Sequence, residues 1–319
     1  MGGPKRTGAE RAAAERARAT AQLFAELRPV GFAVAYRMLG SVSQAEDIVE
    51  EAFLRLHHTL ADGEQVESPP AYLSTVVTRM CVDHLRSAGT RARRESYVEA
   101  LPEPLVCSAG ESAGDAETGG DAAEVADSLS LAFLVLLESL TPEQRAAFLL
   151  HEVFDHPYDR IAGILATSEE NARDLVTRAR RHVGKRRPRF EPSRARRERL
   201  ARRFFAAAQD GDIGTVEKLL ADDALLHGDG GGAVRPPSQP LKGRVRVART
   251  LLAWVRATTR YGGGFSLREV DVNGQPGAVL LDPSDRLIGV LALDIAEGGQ
   301  VQTVTSVVNP DKLAHLTRC

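Results

Sequence analysis

Aromatic residues are scarce in this chain of 319 residues, at 5% of the total, so its core must be mainly aliphatic. The three cysteines (Cys81, Cys107 and Cys319) are far apart, which argues against a disulfide framework and against a CxxC metal site. No apolar run approaches the roughly 20 residues that span a bilayer. No apolar segment follows the N-terminus either, so we predict no membrane span, no secretory signal and a cytoplasmic protein.

One stretch of the chain lacks basic residues altogether. Between Arg94 and Arg145 there is no lysine or arginine. Before the next predicted helix it carries many acids: Glu95, Glu99, Glu103, Glu111, Asp115, Glu117, Asp121, Glu124 and Asp127. Because much of the remainder is Gly, Ala and Ser, it cannot bury enough apolar surface to offset the entropy of ordering. We therefore predict a flexible acidic linker over residues 96–128.

The balance of charge reverses between Arg173 and Arg203. The only acids there are Asp174, Glu191 and Glu198. The basic residues are Arg173, Arg178, Arg180, Arg181, Lys185, Arg186, Arg187, Arg189, Arg194, Arg196, Arg197, Arg199, Arg202 and Arg203. Such asymmetry favours a nucleic-acid partner, and the alternative is a solvated helix face.

The first third of the chain, residues 20–87, has a helical pattern. Apolar residues recur with the helical period and mark one buried face: Ala45, Ile48, Val49, Ala52, Phe53 and Leu56. Ser41 or Ser43 is suited to cap this helix, and Glu46 would complete a capping box with Ser43. Three charged residues of the next helix are four and three positions apart and share one face: Arg79, Asp83 and Arg86.

A second helical unit follows the acidic stretch. Thr141 is a capping residue, Pro142 takes the first helical position and Glu143 places an acid in the first turn. We predict helices over residues 144–152, 158–165 and 169–183, the last two joined by a tight turn. This arrangement, with an arginine-rich second helix, predicts a helix-turn-helix. The alternative is a generic three-helix bundle.

Beyond Pro192 the pattern changes again. Helices are predicted over residues 200–209, 213–221 and 245–256. Strands are predicted over residues 224–227, 265–272, 278–282, 287–294 and 301–308, and Asn273-Gly274 supplies one of the turns between them. Helices followed by a meander of strands indicate a separate α+β domain.

Three strings of residues carry a family resemblance: Ala45-Glu46-Asp47-Ile48-Val49-Glu50-Glu51-Ala52-Phe53, Ala71-Tyr72-Leu73-Ser74-Thr75-Val76-Val77-Thr78-Arg79 and Leu140-Thr141-Pro142-Glu143-Gln144-Arg145. With them, the first unit resembles region 2 of a bacterial sigma factor of the extracytoplasmic-function (ECF) type. The helix-turn-helix resembles region 4 of the same family. The C-terminal part resembles a SnoaL/NTF2-like cone.

Three further motifs narrow the resemblance to sigma factors with a fused SnoaL-like extension, the sigma-J type. They are Leu101-Pro102-Glu103-Pro104, Asp229-Gly230-Gly231-Gly232 and Asn309-Pro310-Asp311-Lys312-Leu313. The chain departs from the family where a lysine usually follows the glycines, because it has Ala233 there.

The resemblance implies a multidomain protein, with two all-α sigma domains and a C-terminal α+β NTF2-like cone. The boundaries we predict are residues 18–95 for the region 2 helical bundle and 129–187 for the region 4 helix-turn-helix. Residues 195–319 form the predicted SnoaL/NTF2-like regulatory domain, and residues 96–128 form the linker.

The resemblance also implies partners for the two sigma domains, namely core RNA polymerase (its β and β′ subunits) and promoter DNA. The candidate polymerase-binding residues form an acidic edge of one helix: Glu46, Asp47, Glu50 and Glu51. A merely solvated face is the alternative for them. The candidate contacts to the −10 element are Arg79, Asp83 and Arg86. The candidate contacts to the −35 element are Ser168, Asn171, Arg173, Thr177, Arg178, Arg180 and Arg181.

The third domain is expected to regulate the first two in cis through the three sigma-J motifs. The alternative is that these motifs are ordinary turns of an independently folded domain. His227, Asp229 and Asp271 are candidate acid/base groups, but no geometric site can be argued from them, so we expect no catalytic residue. No metal and no cofactor are expected, and a small ligand of the C-terminal domain is left open.

These observations predict a sigma factor that directs core polymerase to specific promoters and initiates transcription, with its SnoaL-like domain modulating activity in cis. The alternative is a helix-turn-helix regulator whose SnoaL-like domain binds or transforms a small molecule.

Overall fold

The computed structural model describes residues 8–62, 64–92, 101–107, 129–184, 194–230, 240–296 and 298–318. Its N-terminal part contains three helices: α1 (Gly8–Leu39), α2 (Val42–Ala61) and α3 (Pro69–Ala92). The buried face of α2 contains all six apolar residues that the periodicity selected. The cap is Ser41, whose hydroxyl accepts a hydrogen bond from the Gln44 backbone N–H. The capping box expected at Ser43 and Glu46 is wrong, because the helix already begins at Val42.

The second helical unit contains α4 (Leu131–Leu137), α5 (Pro142–Glu152), α6 (Tyr158–Leu165) and α7 (Glu169–Val183). Thr141 and Gln144 form a capping box at the start of α5. Ala166 ends α6 in the left-handed conformation (φ 50°), and Ser168 caps α7. The turn between α6 and α7 confirms the predicted helix-turn-helix.

The two helical units share one hydrophobic core. Val49 of α2, Val77 of α3, Phe148 of α5 and Val183 of α7 are all buried in the same cluster. Helix α5 packs against both α1 and α3. The helix-turn-helix therefore lies directly on the first unit in this structure.

The C-terminal part combines four helices with most of a seven-stranded sheet. Its helices are α8 (Arg194–Asp210), α9 (Ile213–Leu219), α10 (Arg244–Tyr261) and α11 (Pro310–Leu313), followed by a 3₁₀ turn (Leu316–Arg318). Its strands are β2 (Leu220–Asp229), β3 (Leu241–Lys242), β4 (Ser266–Val272), β5 (Gln275–Leu281), β6 (Leu287–Ile295) and β7 (Val301–Val307). This is the predicted α+β cone.

The strand order in the described residues is β1-β4-β5-β6-β7-β2-β3, and only the β2–β7 pair is parallel. Helices α8, α9 and α10 cover one face of the sheet, where Phe204, Leu251 and Leu293 share an aliphatic-rich core. The opposite face carries a second core that includes Val272 and Leu313. The sheet therefore separates two apolar layers.

The first strand of this sheet, β1 (Val106–Cys107), comes from the segment predicted to be a flexible linker. It pairs antiparallel with β4, with Val106 opposite Val272 and Cys107 opposite Asp271. Leu101 is buried in the second core. The prediction of flexibility is therefore wrong for residues 101–107, because a neighbouring sheet edge supplies the hydrogen bonds and the apolar cover that the segment itself lacks. Residues 108–128 lie outside the described residues.

Candidate nucleic-acid interface and interdomain contacts

The N-terminal end of α7 presents the polar groups predicted to read DNA bases. The Ser168 hydroxyl accepts from the Asn171 backbone N–H at 3.2 Å, and the Asn171 side-chain amide donates to the Thr167 hydroxyl at 2.8 Å. Arg173 is exposed, pairs with Glu169 at 2.6 Å and lies over the Tyr158 ring, 5.0 Å from its centroid. These groups are solvent-exposed, since α7 buries only Ala172, Val176, Ala179 and Val183.

Further along α7, the basic side chains differ in how they are held. Arg178 pairs with Asp174 at 2.5 Å, and Arg180 pairs with Glu152 of α5 at 2.5 Å. Arg181 is exposed and pairs with no carboxylate among the described residues. The Thr177 hydroxyl donates to the Arg173 carbonyl at 2.8 Å within the helix. Arg181 is therefore the α7 cation most readily available to a phosphate.

The charged face of α3 is occupied by the helix-turn-helix. Arg79 donates from Nε to the Ile164 carbonyl at 2.8 Å and from Nη2 to the Gly163 carbonyl at 2.9 Å. Those carbonyls lie in the last turn of α6, where helix carbonyls lack intrahelical partners and carry partial negative charge. Arg79 therefore caps α6, and α6 covers this part of α3.

An ion pair extends the same contact. Arg86 donates from Nε to Glu143 Oε1 of α5 at 2.7 Å, and its Nη1 lies 3.4 Å from Asp83. Burial alone would raise the pKa of Glu143, but hydrogen bonds from its own backbone and from Arg86 hold the pKa below its usual value. Arg79, Asp83 and Arg86 thus share one face, as predicted, and two of them, Arg79 and Arg86, bind the helical unit that contains the helix-turn-helix.

Arg145 is a buried cation that the sequence analysis did not select. It donates from Nη1 to the Met38 carbonyl of α1 at 2.6 Å and from Nε to the Leu137 carbonyl at 2.9 Å. Burial lowers the pKa of Arg145 to about 10. Its hydrogen bonds join the C-terminal end of α1 to α5.

The acidic edge of α2 is partly neutralised. Glu46 pairs with Arg28 at 3.0 Å, and Glu51 pairs with Arg55 at 2.9 Å. Asp47 and Glu50 are exposed and have no cationic partner in the described part of the chain. The next turn exposes 55% of Leu54, an apolar side chain beside these two carboxylates.

Glu103 fixes the linker to the first helical unit. Its carboxylate accepts hydrogen bonds from the Val42 backbone N–H at 2.7 Å and from the Ser41 hydroxyl at 2.9 Å. It thereby satisfies free donors at the N-terminus of α2, where a negative charge is favoured. The Glu103 backbone N–H donates to the Gly40 carbonyl at 2.7 Å, and the Tyr36 hydroxyl donates to the Glu103 carbonyl at 2.5 Å.

The three sigma-J motifs meet around Lys312. Its ammonium donates to Asp229 Oδ2 at 2.6 Å and to the Leu101 carbonyl. Asn309 contacts the other Asp229 oxygen at 3.3 Å and also caps α11, which begins at Pro310 and includes Asp311. Leu313 packs with Leu101, and His315 Nε2 lies 2.8 Å from the Pro104 carbonyl.

The remaining residues of the motifs lie at the border of this contact. Pro102, which is also buried, lies beside Gly40. Gly230 ends the described part of this loop, and Gly231, Gly232 and Ala233 lie outside the described residues.

Asn273 is a second junction that the sequence analysis treated only as a turn. It is 1% exposed and has a φ of 55°. Its side-chain amide donates to the Tyr36 hydroxyl at 2.7 Å and to the Leu129 carbonyl at 2.9 Å, and its carbonyl oxygen accepts from the Leu105 backbone N–H at 2.8 Å. One side chain therefore joins the β4–β5 turn to α1, to Leu105 of the predicted linker and to Leu129, which directly follows that linker.

Comparisons with known proteins agree with this geometry. The Sigma-70 region 2 family model matches residues 23–91, and the Sigma-70 region 4 family model matches residues 130–183. Over 299 residues the chain is 36% identical to the ECF RNA polymerase sigma factor SigJ of Mycobacterium tuberculosis, an alignment that covers 91% of each chain. This chain belongs to the ECF RNA polymerase sigma factors. Membership of this family makes it a promoter-specificity factor for RNA polymerase.

Two further comparisons extend over most of this sigma factor. It is 32% identical over 284 residues to the probable ECF RNA polymerase sigma factor SigI of Mycobacterium tuberculosis, covering 89% of this chain and 91% of SigI. It is also similar to the crystal structure of the Mycobacterium tuberculosis extracytoplasmic function sigma factor SigJ. That superposition has a TM-score of 0.70 and 33% sequence identity, and covers 90% of this chain and 95% of that chain. The similarity includes the C-terminal domain.

The three candidate acid/base groups of this sigma factor lie in strands that are paired on both sides. Asp229 is bound by Lys312 and Asn309. Asp271 borders a cleft of about 310 Å³ between α8 and the β4–β5 hairpin, and burial raises the pKa of Asp271. Its Oδ1 is buried and has no hydrogen-bond partner among the described residues. His227 lies in β2, which pairs with β7.

Metal-binding clusters and membrane-spanning helices are both absent from the described residues. They contain no group of three or more His, Cys, Asp or Glu side chains arranged to hold a metal ion. None of the helices described is both long enough and apolar enough to cross a membrane.

Proposed function

We propose that this sigma factor binds core polymerase through the acidic edge of α2, reads the −10 element with α3 and reads the −35 element with α7. Asp47 and Glu50 are the carboxylates of that edge that have no cationic partner among the residues the structure describes. Asn171 and Arg173 have the base-reading role in α7, because residues at the start of a recognition helix meet base edges. Arg181 contacts phosphate and so positions the helix without reading sequence.

The C-terminal domain restrains initiation in cis. The observation that supports this role is the double attachment of residues 101–107. Glu103 caps α2 of the first unit, whereas the Leu101 carbonyl is bound by Lys312 and β1 is bound by β4. A movement of the C-terminal domain must therefore pull on the α1–α2 junction, which is next to the proposed polymerase-binding surface.

The compact arrangement represents a closed state. Arg79 cannot bind the last turn of α6 and a promoter at the same time, because its guanidinium already donates hydrogen bonds to two carbonyls of α6. Binding of the −10 element through Arg79 thus requires α6 to leave α3. Releasing the C-terminal domain from residues 101–107 lowers the cost of that separation.

The C-terminal domain acts through contacts and not through catalysis. Both carboxylate oxygens of Asp229 are bound within the domain, by Lys312 and Asn309. A second role is suggested by Asp271, which borders the cleft beside α8 and whose buried Oδ1 has no hydrogen-bond partner in the part of the chain that the structure describes. A small ligand with a hydrogen-bond donor would fit that site.

The protein acts in the cytoplasm, where polymerase and promoters are found.

The experiment that tests the restraint is promoter-specific transcription in vitro with purified core polymerase. Lys312→Met removes the ammonium from Asp229 and Leu101 but keeps the length of the side chain. Lys242→Met removes an exposed lysine from β3 of the same domain and serves as the matched control. We expect the Lys312 variant to give more transcript than the wild type and the control. Output at or below the wild-type level would contradict a restraining role.

A further inference from the structure

Helix α10 has an unusual distribution of charge. It contains five arginines and no acidic residue. Its buried residues are Val247, Ala248, Leu251 and Leu252. At 3.6 residues per turn, four of the arginines lie on the opposite side of the helix: Arg246, Arg249, Arg256 and Arg260. All four are exposed.

Helix α8 adds a second row of arginines. It buries Ala201, Phe204 and Phe205, and its outer side carries Arg196, Arg199 and Arg203 at spacings of three and four residues. Both helices pack on the same face of the sheet and touch each other. Their outer sides therefore point away from the sheet in the same general direction. We call this the α8–α10 arginine surface.

Three of the arginines of α10 lack a carboxylate partner in the described part of the chain. Arg246, Arg249 and Arg256 form no ion pair with any carboxylate that the structure describes. In contrast, two arginines nearer the sheet do form ion pairs. Arg244 pairs with Asp222 at 2.5 Å, and Arg194 pairs with Glu198 at 3.0 Å. A row of uncompensated charges on rigid helices creates a local positive potential that attracts polyanions.

The arginine surface stays accessible in the closed arrangement. The linker and α4 pack against the opposite face of the sheet, where Leu101 and Leu131 join the second core. Contacts between the domains, as far as the described residues make them, therefore lie on the face of the sheet opposite to α8 and α10. A partner could reach this surface before or after the sigma domains separate.

The position of α8 in the chain favours nucleic acid as the partner. Helix α7 ends at Val183 and α8 begins at Arg194, so at most about 35–40 Å of extended chain separates them. That reach corresponds to about one helical turn of DNA. The intervening sequence is itself basic, with Lys185, Arg186, Arg187 and Arg189. A duplex bound by α7 thus lies within range of the α8–α10 surface.

We propose that the α8–α10 arginine surface binds the sugar-phosphate backbone of duplex DNA next to the site read by α7. This inference rests on the proposed role of α7 at the −35 element. The contacts are electrostatic and independent of sequence, because arginines that bind phosphate position a protein without reading bases. The C-terminal domain then both restrains the sigma domains and adds affinity for DNA.

The test measures binding of the full-length chain to a fluorescein-labelled duplex of arbitrary sequence, about three helical turns long, over a range of KCl concentrations. The test variant is Arg249→Ala with Arg256→Ala, and alanine keeps α10 helical. If both arginines contact phosphate, the slope of log K against log[KCl] should become shallower by about 1.8, or about 0.9 for each contact.

The matched control is Arg268→Ala with Arg286→Ala, which removes the same charge. Arg268 is exposed on β4 and, by alternation, lies on the same side as Val270 and Val272, which face the second core. We expect the control to keep the wild-type slope. An equal loss of slope in both variants would show a bulk charge effect and would overturn the proposal.

Two more measurements distinguish this proposal from the proposed role of α7 and from binding of an acidic protein. Arg181→Ala in α7 should also reduce the slope. If it does so while the Arg249/Arg256 variant keeps the wild-type slope, the role of α7 stands and the α8–α10 proposal fails. If the Arg249/Arg256 variant keeps the slope but loses affinity for core polymerase, the surface binds an acidic protein, which also overturns the proposal.

Discussion

The junction at Asn273 allows a sharp test of how the C-terminal domain is held. Asn273→Gly removes the side chain but tolerates the observed φ of 55°, because glycine adopts positive φ without a steric penalty. The backbone hydrogen bond from the Asn273 N–H to the Leu105 carbonyl, 2.8 Å long, is retained. The substitution therefore removes the side-chain contacts to α1 and to the linker and leaves the β4–β5 turn intact.

The expected magnitude follows from the three hydrogen bonds of the side chain. Their partners are the Tyr36 hydroxyl, the Leu129 carbonyl and the Leu105 N–H. Each bond is worth about 1 kcal/mol net, so their loss should cost the docked state about 3 kcal/mol. At about 1.4 kcal/mol for each tenfold change, the equilibrium between docked and undocked states should shift roughly a hundredfold.

Amide hydrogen exchange gives the readout. Protection should fall by up to about a hundredfold at Leu105, and also at Val42, whose N–H donates to Glu103. Leu293 in the central strand β6 should keep its protection, since it reports the fold of the C-terminal domain. The control is Asp285→Gly, at an exposed turn position with a φ of 58°. It should leave the protection of Leu105 and Val42 unchanged. Unchanged protection at Leu105 and Val42 would refute the reasoning.

Three further predictions concern the sigma domains. Arg173→Ala should relax specificity at the −35 element, whereas Arg181→Ala should weaken binding evenly across single-base promoter variants; a uniform loss in both would contradict the base-reading role. Glu50→Lys should lower the affinity for core polymerase, because it places a positive charge where a basic partner is proposed, and unchanged co-purification would argue against that surface. Arg145→Met should lower the free energy of unfolding by about 2 kcal/mol in urea titrations, since the Met38 and Leu137 carbonyls lose their donor; an unchanged midpoint would contradict this.

The local features of the fold could be predicted from the sequence. The periodicity of α2, the Thr141 cap of α5 and the turn between α6 and α7 all appear where the pattern placed them. The Asn273-Gly274 turn between β4 and β5 does so as well. Each depends on interactions between residues a few positions apart, so the sequence by itself contains the necessary information. The family motifs likewise selected Lys312 and Asp229 before their contact was known.

The partners of the charged residues, in contrast, depend on how distant segments pack. Arg79 binds carbonyls in α6, and Arg145 binds the carbonyl of Met38. Every residue carries such a carbonyl, so no side-chain pattern marks the one that will be used. Strand β1 likewise cannot be predicted from its own sequence, because its hydrogen-bond partners are in β4, which is distant in the chain. Most of the helices and strands follow from the sequence pattern, whereas the packing of distant segments decides that β1 joins the sheet and which charged groups hold the domains together.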